Sequence, residues 1–261
     1  MRLKGRVAIV TGGGVNIGRA IALAFAREGA ALVVASRNLS NLGQVVSEIK
    51  SIGGRATAIQ TDISDEKQVQ RMVAQTLSEH GQIDILVNNS AIAGATANVV
   101  DVTLDDWDRT LAVNLTGMML CSREVLKSMI PRKGGSIINI SSSADKAGYS
   151  MRSPYCACKW GVVGFTLTLA AEVGIHNIRV NSVSPGPTLG SRMDNVFRAK
   201  AEAMELTYKD LYDSTTAKMA LHRLVSPEEV AAAVVFFASD ESSGITGEVL
   251  HVNGGLLLNV L

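Results

Sequence analysis

Val7-Ala-Ile-Val10 leads into Thr11-Gly12-Gly13-Gly14-Val15-Asn16-Ile17-Gly18, and Arg19 to Glu28 follow. The first four residues are apolar and mostly β-branched, the pattern of a short buried strand. Within 19–28, Ile21, Ala22, Phe25 and Ala26 share one stripe at helical spacing, and Gly29 can end the helix. Strand, glycine-rich turn and helix in that order are the setting in which a dinucleotide is bound. Glycines let the backbone approach a pyrophosphate, and the helix N-terminus offers free N–H groups at the positive end of its dipole. Gly12, Asn16, Ile17 and Gly18 are therefore candidate cofactor contacts. Without a ligand the same stretch is only a tight strand-to-helix turn.

The alternation continues outward. Residues 31–35 read as a second strand, and the turn after it, Ser36-Arg37-Asn38, should meet the adenosine ribose. A carboxylate there would accept from a 2′-hydroxyl, whereas an arginine pairs with a 2′-phosphate. With Arg37 and no carboxylate, the turn favours NADP(H). NAD(H) is the alternative, with Arg37 then a solvated turn residue. Residues 39–52 and 66–79 have helical patterns; 56–60 and 83–87 read as strands. Asp62-Ile63 and Asn88-Asn89-Ser90-Ala91 fall at strand carboxyl ends, where open α/β sheets bind ligands. Asp62 suits the adenine amino group, or else an N-cap for the next helix. A long helical pattern over 104–129 contains Asn114, a polar residue that needs a partner or a job. Strands at 136–140, 177–183 and 247–252 follow, with Ser141-Ser142-Ser143 and Ser184-Pro185-Gly186-Pro187 at two of their ends. Helices of this length between strands give right-handed parallel βαβ units. The expected fold is α/β, a Rossmann-type, doubly wound, mostly parallel seven-stranded sheet with helices on both faces. One domain over 1–261 is expected, with 189–218 as one or two mobile helices forming a lid.

Tyr155-Cys-Ala-Cys-Lys159 lies in a further helical pattern, 153–172, opened by Pro154. Residues four apart share a helix face. A free phenol titrates near 10. An ammonium beside it favours the phenolate, and a tuned tyrosine can exchange a proton with an alcohol or carbonyl oxygen. Alone, such a pair is as well read as one core aromatic and one solvated lysine.

Composition bounds the partners. The chain has 261 residues, 47% hydrophobic and 19% charged, with net charge +1, so nothing points to a nucleic-acid partner. No unbroken apolar run reaches the roughly 18 residues needed to span a bilayer. No secretory signal is expected at the N-terminus. Cys121, Cys156 and Cys158 have no metal-ligand spacing, and His80, His176, His222 and His251 are scattered, so no metal is expected. A reducing cytoplasm fits the cysteines.

Taken together, the chain resembles the short-chain dehydrogenase/reductase family in its single-domain form, over nearly its whole length. The resemblance rests on Thr11-Gly12 through Gly18, Asp62, Asn88 through Ala91, Asn114, Ser142, Tyr155 with Lys159, Pro185-Gly186 and Ile245-Thr246-Gly247. The family's interval before its tyrosine selects Ser142 over its neighbours. Asn16 replaces a family glycine, Ser90-Ala91 the usual Ala-Gly, and Asn253 a common aspartate. Asparagine tolerates a left-handed backbone, so binding should survive.

The resemblance implies reversible hydride transfer between a secondary alcohol and a ketone. Asn114, Ser142, Tyr155 and Lys159 would be the catalytic set. Tyr155 would move the proton. Lys159 would tune it and bond the nicotinamide ribose. Ser142 would hold the substrate oxygen, and Asn114 a water joining Lys159 to solvent. Pro185, Gly186 and Thr188 would anchor the carboxamide. The resemblance also implies a small-molecule partner and a homotetramer, with a dimer as the alternative.

Substrate contacts are expected at Ser142, Ala144, Tyr149, Arg152 and Arg192, from 93–95 and 143–145, and from the lid residues Met193, Arg198, Met204 and Tyr208. Arg152 and Arg192 would suit a carboxylate or sulfonate, or stand as solvated surface charges. The apolar run Leu256-Leu257-Leu258 would suit a subunit contact. A nucleotide-sensing regulator is the rival class, but it has no use for the Tyr–Lys pair.

Overall fold

The computed structural model describes residues 1–256. In chain order the strands are β1 (Val7–Thr11), β2 (Ala31–Ser36), β3 (Arg55–Gln60), β4 (Ile85–Asn88), β5 (Gly135–Ile140), β6 (Ile178–Pro185) and β7 (Val249–Val252). The helices are α1 (Asn16–Arg27), α2 (Leu39–Ser51), α3 (Glu66–His80), α4 (Leu104–Leu111), α5 (Gly117–Arg132), α6 (Ser153–Val173), α7 (Ser191–Ala203), α8 (Tyr208–Thr216) and α9 (Pro227–Ala238). The strands form one sheet in the order β3-β2-β1-β4-β5-β6-β7, every neighbouring pair parallel. The chain winds from β1 towards β3 and then restarts on the other side of β1 with β4. This reversal opens a crevice at the strands' carboxyl ends.

Alternation along the strands explains why both faces are covered. Ala8, Val10, Leu32 and Val34 point into a layer with α1, α2 and α9. Ile9, Val33 and Ala35 point into the opposite layer with α3, α5 and α6. Strands buried on both faces read as unbroken apolar runs, as 7–10 and 31–35 do.

Two sequence expectations need correction here. The long helix over 104–129 is interrupted by a π-helical turn, Ala112–Thr116. Asn114 sits in that turn, its Oδ1 accepting from the Ile92 N–H (2.7 Å) and its Nδ2 donating to the Ile92 carbonyl (3.0 Å). Helix α6 with its short continuation, Ser153–His176, is long and apolar enough on average to cross a membrane. Counting unbroken apolar runs missed it. In this fold it packs against β6 and supplies Leu169, Ala170 and Val173 to the core.

Leu256 forms a bridge with Met219, whereas Leu257 and Leu258 lie outside the described residues. Beneath the site, Asn88 Nδ2 donates to Ser122 Oγ (3.0 Å) and to Asn139 Oδ1 (2.9 Å), and Asn139 Nδ2 donates to Thr166 Oγ1 (2.9 Å). All four residues are buried. The ladder joins α5, β4, β5 and α6. Removing its middle rung strips partners from two buried groups. Asn139→Ala should therefore lower unfolding free energy by about 2 kcal/mol or more, measured by urea denaturation.

Candidate active site

One cavity of about 750 Å³ runs along the carboxyl ends of the strands, from the glycine-rich turn to α7 and α8. At the turn, Asn16 adopts φ 47°, the left-handed conformation expected of the residue replacing a glycine. Helix α1 begins there with no side-chain cap and no acidic residue in its first turn, so its N–H groups are left for an anion. A Cβ on Gly18 would stand 2.0 Å from the Gly12 carbonyl oxygen, and one on Gly12 would meet Asn89 Nδ2 at 2.8 Å. Asn89 Nδ2 donates to the carbonyls of Thr11 (3.0 Å) and Gly12 (3.1 Å), so it shapes the turn from the end of β4.

Ser36, Arg37 and Asn38 line the same cavity. Asn38 caps α2, its Oδ1 accepting from the Asn41 N–H (3.0 Å). Arg37 is exposed, and among the described residues its guanidinium has no partner. Asp62 and Ile63 line the cavity beyond it. Asp62 is not a helix cap, because Asp65 holds that role on α3. Asp62 Oδ1 instead accepts from the Ser64 N–H (3.0 Å) and hydroxyl (2.6 Å). Ala91, Pro185, Gly186 and Thr188 line the adjoining wall, with the Thr188 hydroxyl donating to the Gly186 carbonyl (2.9 Å).

Tyr155 and Lys159 lie side by side on α6, as their spacing predicts. Lys159 is 2% exposed. Its Nζ donates to the Ile140 carbonyl at the end of β5 (2.8 Å) and lies 5.6 Å from the centre of the Tyr155 ring. Burial pushes the Lys159 ammonium below its ordinary range, against the pull of Tyr155. Burial alone would raise the Tyr155 phenol. Lys159, Arg192, the Ser142 hydroxyl and Arg152 outweigh it and hold the phenol below its usual value.

The three serines separate by their partners. Ser141 Oγ donates to the Lys159 carbonyl (3.3 Å), and Ser143 Oγ bonds the Tyr149 hydroxyl (2.9 Å). Ser142 Oγ accepts from the Ala144 N–H (3.3 Å) and otherwise acts on the Tyr155 phenol, so its proton is directed at the reacting end of the cavity.

The substrate wall departs from expectation. Tyr149, Arg152, Arg192, Met193 and Met204 line it. Ala144 does not: it is buried inside the 3-10 turn Ser143–Asp145. Residues 93–95 are also off the wall, and Ile92 and Thr96 line it instead. Arg198 stacks on Tyr208 outside the cavity, and the Tyr208 hydroxyl donates to Asp194 (2.8 Å). Arg152 is no solvated surface charge, at 8% exposure. The sequence reading missed Lys200 and Lys218, which both line the wall. Lys200 shares a stripe of α7 with Met193 and Val196, a helical spacing that would have found it.

A family model described as enoyl-(acyl carrier protein) reductase matches residues 14–257. The 3-oxoacyl-[acyl-carrier-protein] reductase FabG of Thermotoga maritima is 36% identical, over 99% of this chain and 100% of its own. A sorbitol dehydrogenase of Cereibacter sphaeroides is 34% identical, over 98% of each chain. Among solved structures, an NAD+-bound xylitol dehydrogenase superposes with a TM-score of 0.95 at 30% identity, covering 98% of this chain and 100% of that one. A variant of actinorhodin polyketide ketoreductase with NADPH gives 0.93 at 32% identity, covering 96% and 97%.

A methyl group at Gly18 must force the turn open. Gly18→Ala should weaken binding of a reduced nicotinamide dinucleotide by about tenfold or more, read from the ligand's fluorescence, with the far-ultraviolet circular dichroism of the fold retained.

Proposed function

Because the chain belongs to the short-chain dehydrogenase/reductase family of nicotinamide-dependent oxidoreductases, we propose that it catalyses reversible NADP(H)-dependent hydride transfer between a secondary alcohol and a ketone. The observation that carries this reading is the Tyr155 phenol beside the buried Lys159 ammonium, with the Ser142 hydroxyl lining the same cavity and acting on the phenol.

The residues present fit a dinucleotide: the uncapped α1 N-terminus and the close-packed Gly12 and Gly18 suit a pyrophosphate. Pro185, Gly186 and Thr188 suit the carboxamide end, and Lys159 the nicotinamide ribose. A bound nicotinamide supplies the donor or acceptor of the hydride. Tyr155 gives its proton to the substrate oxygen in reduction and takes one in oxidation. Ser142 donates to that oxygen and stabilises its developing charge. Lys159 keeps the phenol acidic. Asn114 positions the loop through Ile92. Its amide keeps one N–H for the water expected to join Lys159 to solvent.

NADP is favoured over NAD by Arg37, exposed where a 2′-phosphate would sit and, among the described residues, without a partner or a carboxylate beside it. The free cysteines suit a reducing cytoplasm. A homotetramer is the expected assembly, from the family.

Tyr155→Phe should lower turnover by roughly 10²–10⁴-fold while dinucleotide binding persists. Near-normal turnover would remove Tyr155 as the acid/base. In wild type, reduction needs the protonated phenol, so its rate should fall as pH rises through the phenol's pKa, and oxidation should rise through the same point. That midpoint should lie below the ordinary phenol value of about 10. For the cofactor, kcat/KM should favour NADP over NAD in wild type and lose most of that preference in Arg37→Ala. A wild-type preference for NAD would overturn the assignment.

A further inference from the structure

The cavity wall beyond Tyr155 is cationic. Arg152, Arg192, Lys200 and Lys218 line it, and the one carboxylate among the described lining residues, Asp62, stands with the nucleotide contacts. None of the four cations forms an ion pair among the described residues. They lie close enough to feel one another. Burial, then Arg152 and Lys218, depress the Lys200 ammonium. Burial, with Arg192 also opposing its charge, depresses the Arg152 guanidinium.

Like charges gathered at low dielectric without counterions oppose folding. Such a group makes sense when an anion joins it. Arg152 is the most deeply placed. Its Nη2 donates to the Ala93 carbonyl (2.8 Å), its Nη1 is buried without an acceptor among the described residues, and its guanidinium lies 4.9 Å from the centre of the Tyr155 ring. A buried donor without a partner is costly unless a ligand completes it. Arg192 is close enough to Tyr155 to help hold the phenol below its usual value, so it adds positive potential at the reacting end. Arg152, with its spare buried donor, and the partly buried Lys200 are the pair best placed for the substrate, and the exposed Lys218 adds positive potential at the wall.

We propose that the substrate of the reaction assigned above carries an oxyanion group (a carboxylate, sulfonate or phosphonate, which share this recognition chemistry) seated between Arg152 and Lys200. Arg152 immediately precedes α6, and its guanidinium lies over the Tyr155 ring, 4.9 Å from the ring centre. The anionic group therefore sits within a few bonds of the carbon that changes oxidation state. This inference rests on the oxidoreductase reading, and the test separates the two.

The first arm compares kcat/KM for a matched set of ketones: an oxo-carboxylate, the corresponding oxo-sulfonate and oxo-phosphonate, and the neutral oxo-amide. At least one acid should exceed the amide by about tenfold or more, and the best of the three identifies the oxyanion. Arg152→Gln and, independently, Lys200→Gln should shrink that ratio towards one, chiefly through KM. The ratio matters because Arg152 also acts on Tyr155, which would slow acid and amide together. Lys200, on the outer helix α7, keeps the test open where Arg152→Gln does not fold. The second arm needs no turnover. Calorimetric titration of the NADP+-saturated protein should show succinate binding at least about tenfold tighter than succinamide, with the difference lost in either variant.

Equal affinities, or no succinate binding, would overturn the anion seat. An oxo-amide reduced as well as the acids would overturn it and leave the redox reading standing. Acid-selective binding with no hydride transfer from any ketone would do the reverse.

Discussion

A charge buried as deeply as that of Lys159 has to be held by dipoles and by whatever negative charge the site can generate. The Ile140 carbonyl supplies one fixed acceptor at 2.8 Å, and no carboxylate lies within ion-pair distance among the described residues. The largest remaining compensation is the phenol of Tyr155, which is most useful to the ammonium when ionised, with smaller pulls from Cys158 and Asp145. Each group therefore draws the other towards its charged form against burial. Desolvation that would be a liability in a structural lysine here makes the tyrosine responsive to protons. Removing the ammonium would leave the phenol in a half-buried site with a raised proton affinity and little chemical use.

The rest of the fold keeps that pair in place. The end of β5 presents the Ile140 carbonyl, and Ser141 on the next residue holds the Lys159 main chain. The ladder from Ser122 through Asn88 and Asn139 to Thr166 ties α6 to the middle of the sheet through buried polar rungs. Apolar packing alone would tolerate a small rotation or slide of α6. Directional bonds between buried groups tolerate far less, because a displaced rung has no water to turn to. The glycine-rich turn is fixed in the same way by Asn89. Reacting end and nucleotide end are thus both referenced to β4.

Much of this was legible in the sequence because the physics was local. Strands buried on both faces appear as apolar runs, the close approach of Gly12 and Gly18 appears as glycines, and Tyr155 with Lys159 appears as a helical spacing. The left-handed Asn16 was legible because few other residues adopt that backbone. What escaped depends on partners distant in the chain. The π turn at Ala112–Thr116 leaves no break in apolar period, since it is a change of hydrogen-bond register. Ala144 adjoins Ser142, but the 3-10 turn carries it inward. The burial of Arg152 contradicts the ordinary expectation for arginine, and the Ala93 carbonyl and the Tyr155 ring that hold it come from partners the spacing does not reveal. Asn38 looked like a ribose contact, and its side chain caps α2.

The stacking of Arg152 on the Tyr155 ring makes two affinities into one thermodynamic quantity. The guanidinium is among the charges that favour loss of the phenolic proton, so any anion that screens it hands some of that proton affinity back. Reciprocity then requires that loss of the proton loosen the anion by the same factor. A ligand settling on the arginine would arm the tyrosine as a donor, and a tyrosine that has given up its proton would hasten that ligand's departure. Occupancy and protonation would rise and fall together, without any movement of the backbone.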